Sequence, residues 1–248
     1  MENSTQSSNI TVIIPARYAS TRLEGKPLLK ANGKSIIQWV YEKASLSKLA
    51  SDVIVATDDE RIFNEVISFG GKACMTAETH KCGSDRIVEV LNKHKDIGIA
   101  VNVQGDEPMI APESIDSAIT ALIGDKEADM STLIRNIEDE EEFNNPNVVK
   151  VVTDVNGFAM YFSRSPIPYH RNPNCAYNFG HIGLYVYKRE ALLKMAALPQ
   201  SDLEKAESLE QLRALQNGMK IKTAIVNYKP VGIDTKEDFE EFLKKVQK

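Results

Sequence analysis

Three basic side chains near the start of the chain are spaced to bind a polyphosphate. Arg17, Arg22 and Lys26 lie in one short loop that leaves the first strand-like run and precedes the first amphipathic segment. Cations at this density repel one another unless an anion lies between them, and the small residues among them let backbone N–H groups approach that anion. A solvated basic loop is the alternative. The loop is not a P-loop, because its lysine is followed by Pro27 and the glycine spacing differs.

Two aspartates stand at positions that could hold a metal ion against a phosphate. Asp106 follows an apolar strand-like run, and Asp234 precedes Thr235, where the last helix is predicted to begin. Carboxylate oxygens together with phosphate oxygens are the ligands that Mg²⁺ prefers. From the residues alone, a helix N-cap explains Asp234 equally well.

The elements that would position these side chains alternate between short apolar runs and amphipathic segments. Strands are predicted at 11–14, 53–56, 99–103, 148–153, 182–187 and 221–226. A first helix is predicted at 36–46, with a capping box from Ser35 to Gln38. A second is predicted after Asp59, with Ile67 on its inward face, and a third from about Asp85. Apolar runs without alternation are typical of strands covered on both faces. The order therefore predicts an α/β fold with a mostly parallel sheet and right-handed crossovers.

The pattern changes after about residue 145. Asn156-Gly157 predicts a hairpin, a proline-rich link follows at 165–169, and the polar segment 171–178 is expected to be a mobile loop. One helix is predicted at 203–216 and another after Thr235, with Asp238 completing its cap. We expect a disordered polar tail at 1–9 and a single domain at 10–248, with a smaller lobe at about 150–215.

Composition limits the classes of protein that fit. The 248 residues carry a formal net charge of −5 and are 42% hydrophobic, which excludes wholesale disorder, a fibre and a disulfide scaffold. Cys74, Cys82 and Cys175 form no Cys-x-x-Cys pair, and the four histidines form no zinc motif. No run reaches the length of a membrane span, and the N-terminus lacks the features of a signal peptide. These features predict a soluble cytoplasmic protein with neither nucleic acid nor membrane insertion among its interactions.

Eight further segments occur in an order that resembles one enzyme family. They lie at 55–59, 69–71, 82–86, 102–108, 161–168, 181–183, 207–213 and 232–235. With the basic loop at 14–28, they resemble the 3-deoxy-manno-octulosonate (Kdo) cytidylyltransferases, also called CMP-Kdo synthetases, over essentially the whole chain after Asn9. Each segment alone is a weak signal, whereas eight in order form a strong one.

The resemblance implies a fold and an activity. The fold is a mostly parallel twisted sheet sandwiched by helices, like that of Rossmann-like nucleotide-diphospho-sugar transferases, with a smaller mixed α+β lobe. The activity is Mg²⁺-dependent transfer of the cytidylyl group from CTP to Kdo, which gives CMP-Kdo and pyrophosphate for lipopolysaccharide biosynthesis. A homodimer formed through the smaller lobe is also implied.

The resemblance further implies roles for individual residues. Arg17, Lys26 and Asp106 would be catalytic, and Asp106 and Asp234 would bind Mg²⁺. The nucleotide would be bound by Arg17, Arg22, Lys26, Ala56, Cys82, Ser84, Arg86 and Gln104. The sugar acid would be bound by Arg164, His181, Tyr185, Glu210 and Gln211.

Elementary chemistry agrees with this sugar-binding set. A guanidinium such as that of Arg164 can bind a carboxylate bidentately. His181 and Tyr185 are four residues apart, so they share one face of a predicted strand. Without the resemblance, a satisfied strand histidine would explain His181, and a solvated helix face would explain Glu210 and Gln211.

Four positions depart from the family pattern. Glu24 stands where proline is usual and places a negative charge beside the basic loop, and Gly180 stands where a basic residue is common. Cys82 and Ser84 replace the more usual serine and threonine. An 8-amino Kdo or a sialic-acid-like 2-keto sugar acid therefore stays open as the acceptor. A glycosyltransferase or a non-catalytic nucleotide-binding protein are the alternatives from other classes.

Overall fold

The computed structural model describes residues 9–19, 23–80, 82–172 and 177–246. Two compact units divide the chain: the first comprises the described residues of Met1–Pro112 and Val231–Lys248, and the second those of Glu113–Pro230. Arg22, Cys175, the predicted tail apart from Asn9, and part of the predicted loop at 171–178 lie outside the described residues. No helix within the described ranges combines the length and the apolar character needed to cross a bilayer.

The first unit is built on parallel strands. Its elements are β1 (Asn9–Ala16), a 3-10 helix (Lys26–Leu28), β2 (Lys30–Ala31), β3 (Lys34–Ser35), α1 (Ile36–Ala44), β4 (Asp52–Thr57), α2 (Glu60–Ser68), β5 (Ala73–Met75), α3 (Gly83–Lys93) and β6 (Ile97–Asn102). Strands β6, β1, β4 and β5 pair in that order, each parallel to its neighbour. Val12, Ile13 and Ile14 of β1 are completely buried, as expected for a strand covered on both faces.

The second unit carries a mixed sheet. Its elements are α4 (Pro112–Ile123), β7 (Met130–Asn136), α5 (Glu140–Asn144), β8 (Lys150–Thr153), β9 (Ala159–Ser163), β10 (Phe179–Lys188), α6 (Arg189–Ala197), α7 (Asp202–Glu207), α8 (Gln211–Gln216) and β11 (Ile221–Ile225). Strand β7 pairs in parallel with β11 and antiparallel with β10, and β8 pairs antiparallel with both β10 and β9. The chain then returns to the first unit in α9 (Lys236–Val246).

These elements confirm the predicted α/β class with a mostly parallel sheet, and all six predicted strands are present. The second unit comprises the described residues of Glu113–Pro230, in which β7 pairs with β10 and β11 from later in the chain. The lobe at about 150–215 stays a prediction.

Local details of three helices differ from the prediction. Ile67, predicted to face inward, is half exposed. Val66 lies on the inward face of α2, and the next residue is rotated away from that face by the helical turn. Ser35 Oγ accepts a hydrogen bond from the Gln38 backbone N–H, but the described contacts of α1 do not include the reciprocal hydrogen bond from the Ser35 N–H to the Gln38 side chain. The Gln38 amide N–H donates to Glu42. The predicted helix at 203–216 is two helices, because Ser208 adopts a left-handed conformation with φ of 52°.

Candidate active site

The first unit contains a cavity of about 370 Å³ at the carboxyl ends of β1 and β6. Ligands bind at this edge in open parallel sheets. Its lining comprises Pro15, Ala16, Arg17, Ala19, Lys26, Pro27, Gln104, Gly105, Asp106 and Asp234. Five residues predicted from the sequence to bind nucleotide or metal are therefore brought together here: Arg17, Lys26, Gln104, Asp106 and Asp234.

Two carboxylates converge on one ammonium in this cavity. Lys26 Nζ lies 2.8 Å from Asp106 Oδ2 and 3.2 Å from Asp234 Oδ1. The backbone N–H of Ile233 donates to the Asp106 carbonyl at 2.9 Å, which ties the two aspartate-bearing segments together. An oxygen-only pair around one positive charge fits a hard cation such as Mg²⁺. Since no group of three or more potential ligands occurs in the described part of the chain, phosphate oxygens and water would have to complete the shell.

The alternative role of Asp234 as a helix cap is wrong. Thr235 caps α9: its Oγ1 accepts a hydrogen bond from the Asp238 backbone N–H at 3.2 Å, and its own N–H donates to Asp238 Oδ2 at 2.8 Å. This reciprocal pattern confirms the predicted cap and leaves the Asp234 carboxylate directed at Lys26.

Arg17 is held by a chain of contacts from α3. Its Nη2 donates to the His80 carbonyl at 2.7 Å, and His80 Nε2 lies 2.5 Å from Glu89 Oε2. Hydrogen bonds from the Ala77 backbone N–H and from Lys93 lower the pKa of Glu89 to about 2, so its carboxylate is ionised at neutral pH. Glu89 could not be singled out from the sequence, because nothing in its local pattern distinguishes it from a surface glutamate.

The residues predicted to surround the base lie beside the cavity. Ala56 of β4 pairs with Pro15, which lines the cavity, and the first turn of α3 approaches the same proline. Cys82 Sγ and Ser84 Oγ are 3.0 Å apart in that turn. Arg86 is completely buried and its Nη2 donates to Asp58 Oδ2 at 2.7 Å, so its guanidinium braces α3 against the end of β4.

In the second unit, His181 and Tyr185 of β10 face the same side, and their ring centroids are 5.3 Å apart. His181 Nε2 lies 2.9 Å from Thr132 Oγ1, and its ring meets the edge of Phe162. Burial lowers the pKa of His181 to about 3, so the imidazole is neutral at physiological pH. Burial raises the pKa of Tyr185 well above its usual value, and the nearby Glu210 carboxylate raises it further.

The side chain of Gln211, at the start of α8, is nearly buried with 5% of its surface exposed. Its Nε2 has no hydrogen-bond partner among the described residues. Buried donors are ordinarily satisfied. An unsatisfied amide next to Glu210 therefore suits a ligand hydroxyl.

The Arg164 guanidinium, predicted to bind a carboxylate, also donates hydrogen bonds to backbone carbonyls. Its Nε donates to the Glu207 carbonyl at 2.7 Å, Nη1 to the Pro146 carbonyl at 3.1 Å and Nη2 to the Ser208 carbonyl at 3.4 Å. Within the described residues, three of its five N–H groups thus donate to backbone carbonyls, and the other two have no partner there. Binding of a carboxylate by Arg164 stays a prediction.

Comparisons with known proteins agree with this geometry. The cytidylyltransferase family profile matches residues 11–221. A 3-deoxy-manno-octulosonate cytidylyltransferase of Fusobacterium nucleatum is 50% identical over 232 residues, which cover 93% of this chain and 94% of that protein. One from Geobacter sulfurreducens is 46% identical in an alignment of 252 positions, gaps included, that covers 96% of this chain and all of that protein.

A solved structure is similar throughout. It is a CMP:2-keto-3-deoxy-manno-octonic acid synthetase complexed with CTP, 43% identical, with a TM-score of 0.93 and coverage of 97% of this chain and 99% of that one. Sequence, fold and cavity therefore agree, and the chain belongs to the 3-deoxy-manno-octulosonate cytidylyltransferase family.

Proposed function

We propose that the chain transfers the cytidylyl group of CTP to Kdo and releases pyrophosphate. The observation that carries the proposal is the convergence of the Asp106 and Asp234 carboxylates on Lys26, in a cavity that Arg17 also lines. This arrangement offers cations to a triphosphate and oxygen ligands to its metal in one place. Membership of the cytidylyltransferase family supports the nucleotide and the type of reaction.

In this reaction the anomeric hydroxyl of the sugar acid attacks the α-phosphorus of CTP, and pyrophosphate leaves. Phosphoryl transfer requires little covalent chemistry from a protein, so alignment and charge stabilisation dominate. Arg17 and Lys26 would neutralise the α-phosphate and the leaving pyrophosphate. Arg22, outside the described residues, would hold the outer phosphates. Asp106 and Asp234 would hold Mg²⁺, which would supply positive charge against the phosphates and promote deprotonation of the attacking hydroxyl.

The acceptor would be bound by residues of the second unit. Neutral His181 and the protonated phenol of Tyr185 can each exchange hydrogen bonds with sugar hydroxyls. The Gln211 amide would donate to another hydroxyl, and the Glu210 carboxylate would accept from one. Arg164 would use its two remaining N–H groups for the carboxylate of the sugar acid.

Replacing Asp106 with asparagine tests the metal and phosphate roles together. The amide keeps the shape but loses the charge, so we expect the CTP-dependent rate of pyrophosphate release with Mg²⁺ and Kdo to fall by about 10²–10³-fold. Glu241→Gln, which removes an exposed carboxylate from α9, should leave that rate unchanged. Wild-type turnover by Asp106→Asn would contradict the proposed mechanism.

A substrate panel tests the specificity. Incubation with each of the four nucleoside triphosphates and with Kdo, 8-amino-Kdo or a sialic acid should give pyrophosphate and a CMP-sugar fastest with CTP and Kdo. Faster turnover of either other acceptor would revise the sugar. A glycosyltransferase would instead consume an activated sugar without releasing pyrophosphate, and a nucleotide-binding protein would show no turnover.

We further propose that the enzyme works as a homodimer in the cytoplasm and supplies CMP-Kdo to lipopolysaccharide assembly. Support for these points comes from the family resemblance, together with the need for CTP as a substrate. Light scattering coupled to size exclusion should give twice the chain mass; the mass of one chain would contradict the dimer.

A further inference from the structure

Lys150 is a completely buried lysine whose hydrogen bonds go to backbone carbonyls. Its Nζ donates to the carbonyl oxygens of Asn145 at 2.8 Å, Val148 at 2.6 Å and Arg164 at 2.6 Å. An ammonium has three N–H groups, so these three carbonyls use all of them. A charge removed from water is costly unless its hydrogen bonds are replaced, and here the replacement is complete.

The three carbonyls belong to two segments: one contains Arg164 itself, and the other accepts a hydrogen bond from its guanidinium. Asn145 and Val148 flank Pro146, whose carbonyl accepts a hydrogen bond from Arg164 Nη1 at 3.1 Å. The third carbonyl is that of Arg164 itself. Lys150 therefore fixes both the backbone of Arg164 and the turn that supports its guanidinium.

The Glu207 carboxylate, opposite in charge to Lys150, binds the backbone of the same arginine. The backbone N–H of Arg164 donates to Glu207 Oε2 at 2.9 Å, and Ser163 Oγ donates to Oε1 at 2.7 Å. The Arg164 side chain returns to the Glu207 backbone through Nε. Both backbone groups of Arg164 thus make charge-assisted hydrogen bonds, the N–H to an anion and the carbonyl to a cation.

Lys150 and Glu207 also interact with each other electrostatically. Burial lowers the pKa of the Lys150 ammonium, the Glu207 carboxylate raises it, and the Arg164 guanidinium lowers it. The Lys150 ammonium therefore interacts with both of the other charges.

We propose that Lys150 and Glu207 are a positioning pair for the acceptor: they hold Arg164 so that its two remaining N–H groups meet the carboxylate of the sugar acid. The inference rests on the proposed function, which assigns that carboxylate to Arg164. Neither member of the pair needs to touch the substrate. Their effect is on the direction of the guanidinium, and a displacement of about 1 Å at such a group can cost about 10²-fold in rate.

Lys150→Met is the direct test, because methionine fills most of the buried volume without a charge or a donor. We expect the KM for Kdo to rise by about tenfold or more, with the KM for CTP within about twofold of wild type. Lys150→Arg, which keeps the charge and the donors, should restore much of the affinity for Kdo. Lys188→Met is the matched control, since Lys188 Nζ donates to a single carbonyl, that of Lys126, and it should behave like wild type.

A second comparison isolates the carboxylate. The carboxamide of Kdo, used as a competitive inhibitor, gives an affinity to set beside that for Kdo. Wild type should bind the acid more tightly than the amide, and Lys150→Met should lose most of that difference in affinity. Equal rises in the KM for Kdo and for CTP, or an unchanged preference for the acid, would overturn the positioning role. If Lys150→Met does not fold, as judged by near-ultraviolet circular dichroism, the same measurements on Glu207→Gln decide the question with the same criteria.

Arg164→Met separates this inference from the proposed function. If Arg164→Met raises the KM for Kdo and Lys150→Met does not, the inference fails while the proposed function stands. If wild type itself does not turn over Kdo, the proposed function fails.

Discussion

Replacing Glu204 with glutamine should destabilise the second unit strongly, because it breaks a buried ion pair. Glu204 and Arg213 are 5% and 8% exposed, and they form a bidentate contact, with Nε 2.8 Å from Oε2 and Nη2 2.5 Å from Oε1. Glutamine keeps the shape of the side chain but directs an amide NH₂ or a neutral oxygen at the guanidinium. Arg213 then loses its bidentate partner, while the longer contact to Glu210, whose Oε1 lies 3.8 Å from Nη2, stays.

Removing one partner of a buried pair typically costs about 3–5 kcal/mol in the free energy of unfolding. Glu204 Oε2 also accepts the Ser201 backbone N–H in the capping box of α7, so the substitution affects that contact as well. For a chain of this size, each kcal/mol lowers the unfolding midpoint by about 2–4 °C, so a fall of about 6–20 °C is expected. Replacing both partners, in Glu204→Gln with Arg213→Met, should cost less than the sum of the two single changes.

Urea and thermal unfolding measure the effect, and Lys205→Gln in the same helix is the control. Lys205 contacts Asp202 at 3.6 Å with both side chains largely exposed, so its replacement should cost at most about 0.5 kcal/mol. A loss for Glu204→Gln no larger than that of this control would refute the reasoning.

The pH dependence gives an independent check on the same pair. Burial pushes the pKa of Glu204 upward, but hydrogen bonds from Arg213 and the Ser201 N–H outweigh burial, and the net pKa is lowered. A lowered carboxyl pKa contributes stability above its unfolded value of 4.5, and the contribution is lost as the pH falls through the folded value. The stability difference between wild type and Glu204→Gln should therefore shrink below pH 4.5.

Two further predictions concern the site. Gly105→Ala places a Cβ 2.8 Å from the Pro15 carbonyl oxygen and must displace the turn that carries Asp106, so kcat/KM for pyrophosphate release should fall by about tenfold or more; an unchanged value would show that the turn adapts. Because the pKa of His181 is lowered to about 3 from 6.5, the unfolded chain takes up a proton first on acidification, and unfolding free energy should fall by up to about 1.4 kcal/mol per pH unit between those values. The unfolding free energy, measured by denaturant titration at several pH values in this range, should fall more steeply with decreasing pH for wild type than for His181→Asn. Equal pH dependence of the two proteins would contradict the burial of His181.

The sequence was sufficient for features that depend on local pattern. Asp106 could be placed at a strand end because an apolar run precedes it, and the Thr235–Asp238 cap could be predicted from its spacing alone. Parallel pairing then brings the ends of β1 and β6 to one edge without further information.

Features that depend on distant contacts could not be predicted. Ser208 breaks the expected helix, and the carbonyl groups at that break are satisfied by Arg164, which is 44 residues earlier in the chain. Arg86 was assigned to the nucleotide by resemblance, yet its burial depends on Asp58 and on the packing of α3. The position of Lys150 inside an apolar strand-like run indicates that its ammonium needs hydrogen-bond partners. The sequence does not reveal that these partners are backbone carbonyls.

The charge balance of the cavity links the proposed triphosphate to its metal. The described part of the lining carries two cations, Arg17 and Lys26, and two anions, Asp106 and Asp234, so these four charges cancel before any ligand enters. A triphosphate alone would meet two carboxylates and would compete with them for Lys26. A divalent cation held by the two carboxylates, as proposed, would remove that repulsion and leave Lys26 available to phosphate oxygens. The net charge of −5 over the whole chain is therefore no obstacle to an anionic substrate, because the proposed joint binding of nucleotide and Mg²⁺ would change the local charge balance.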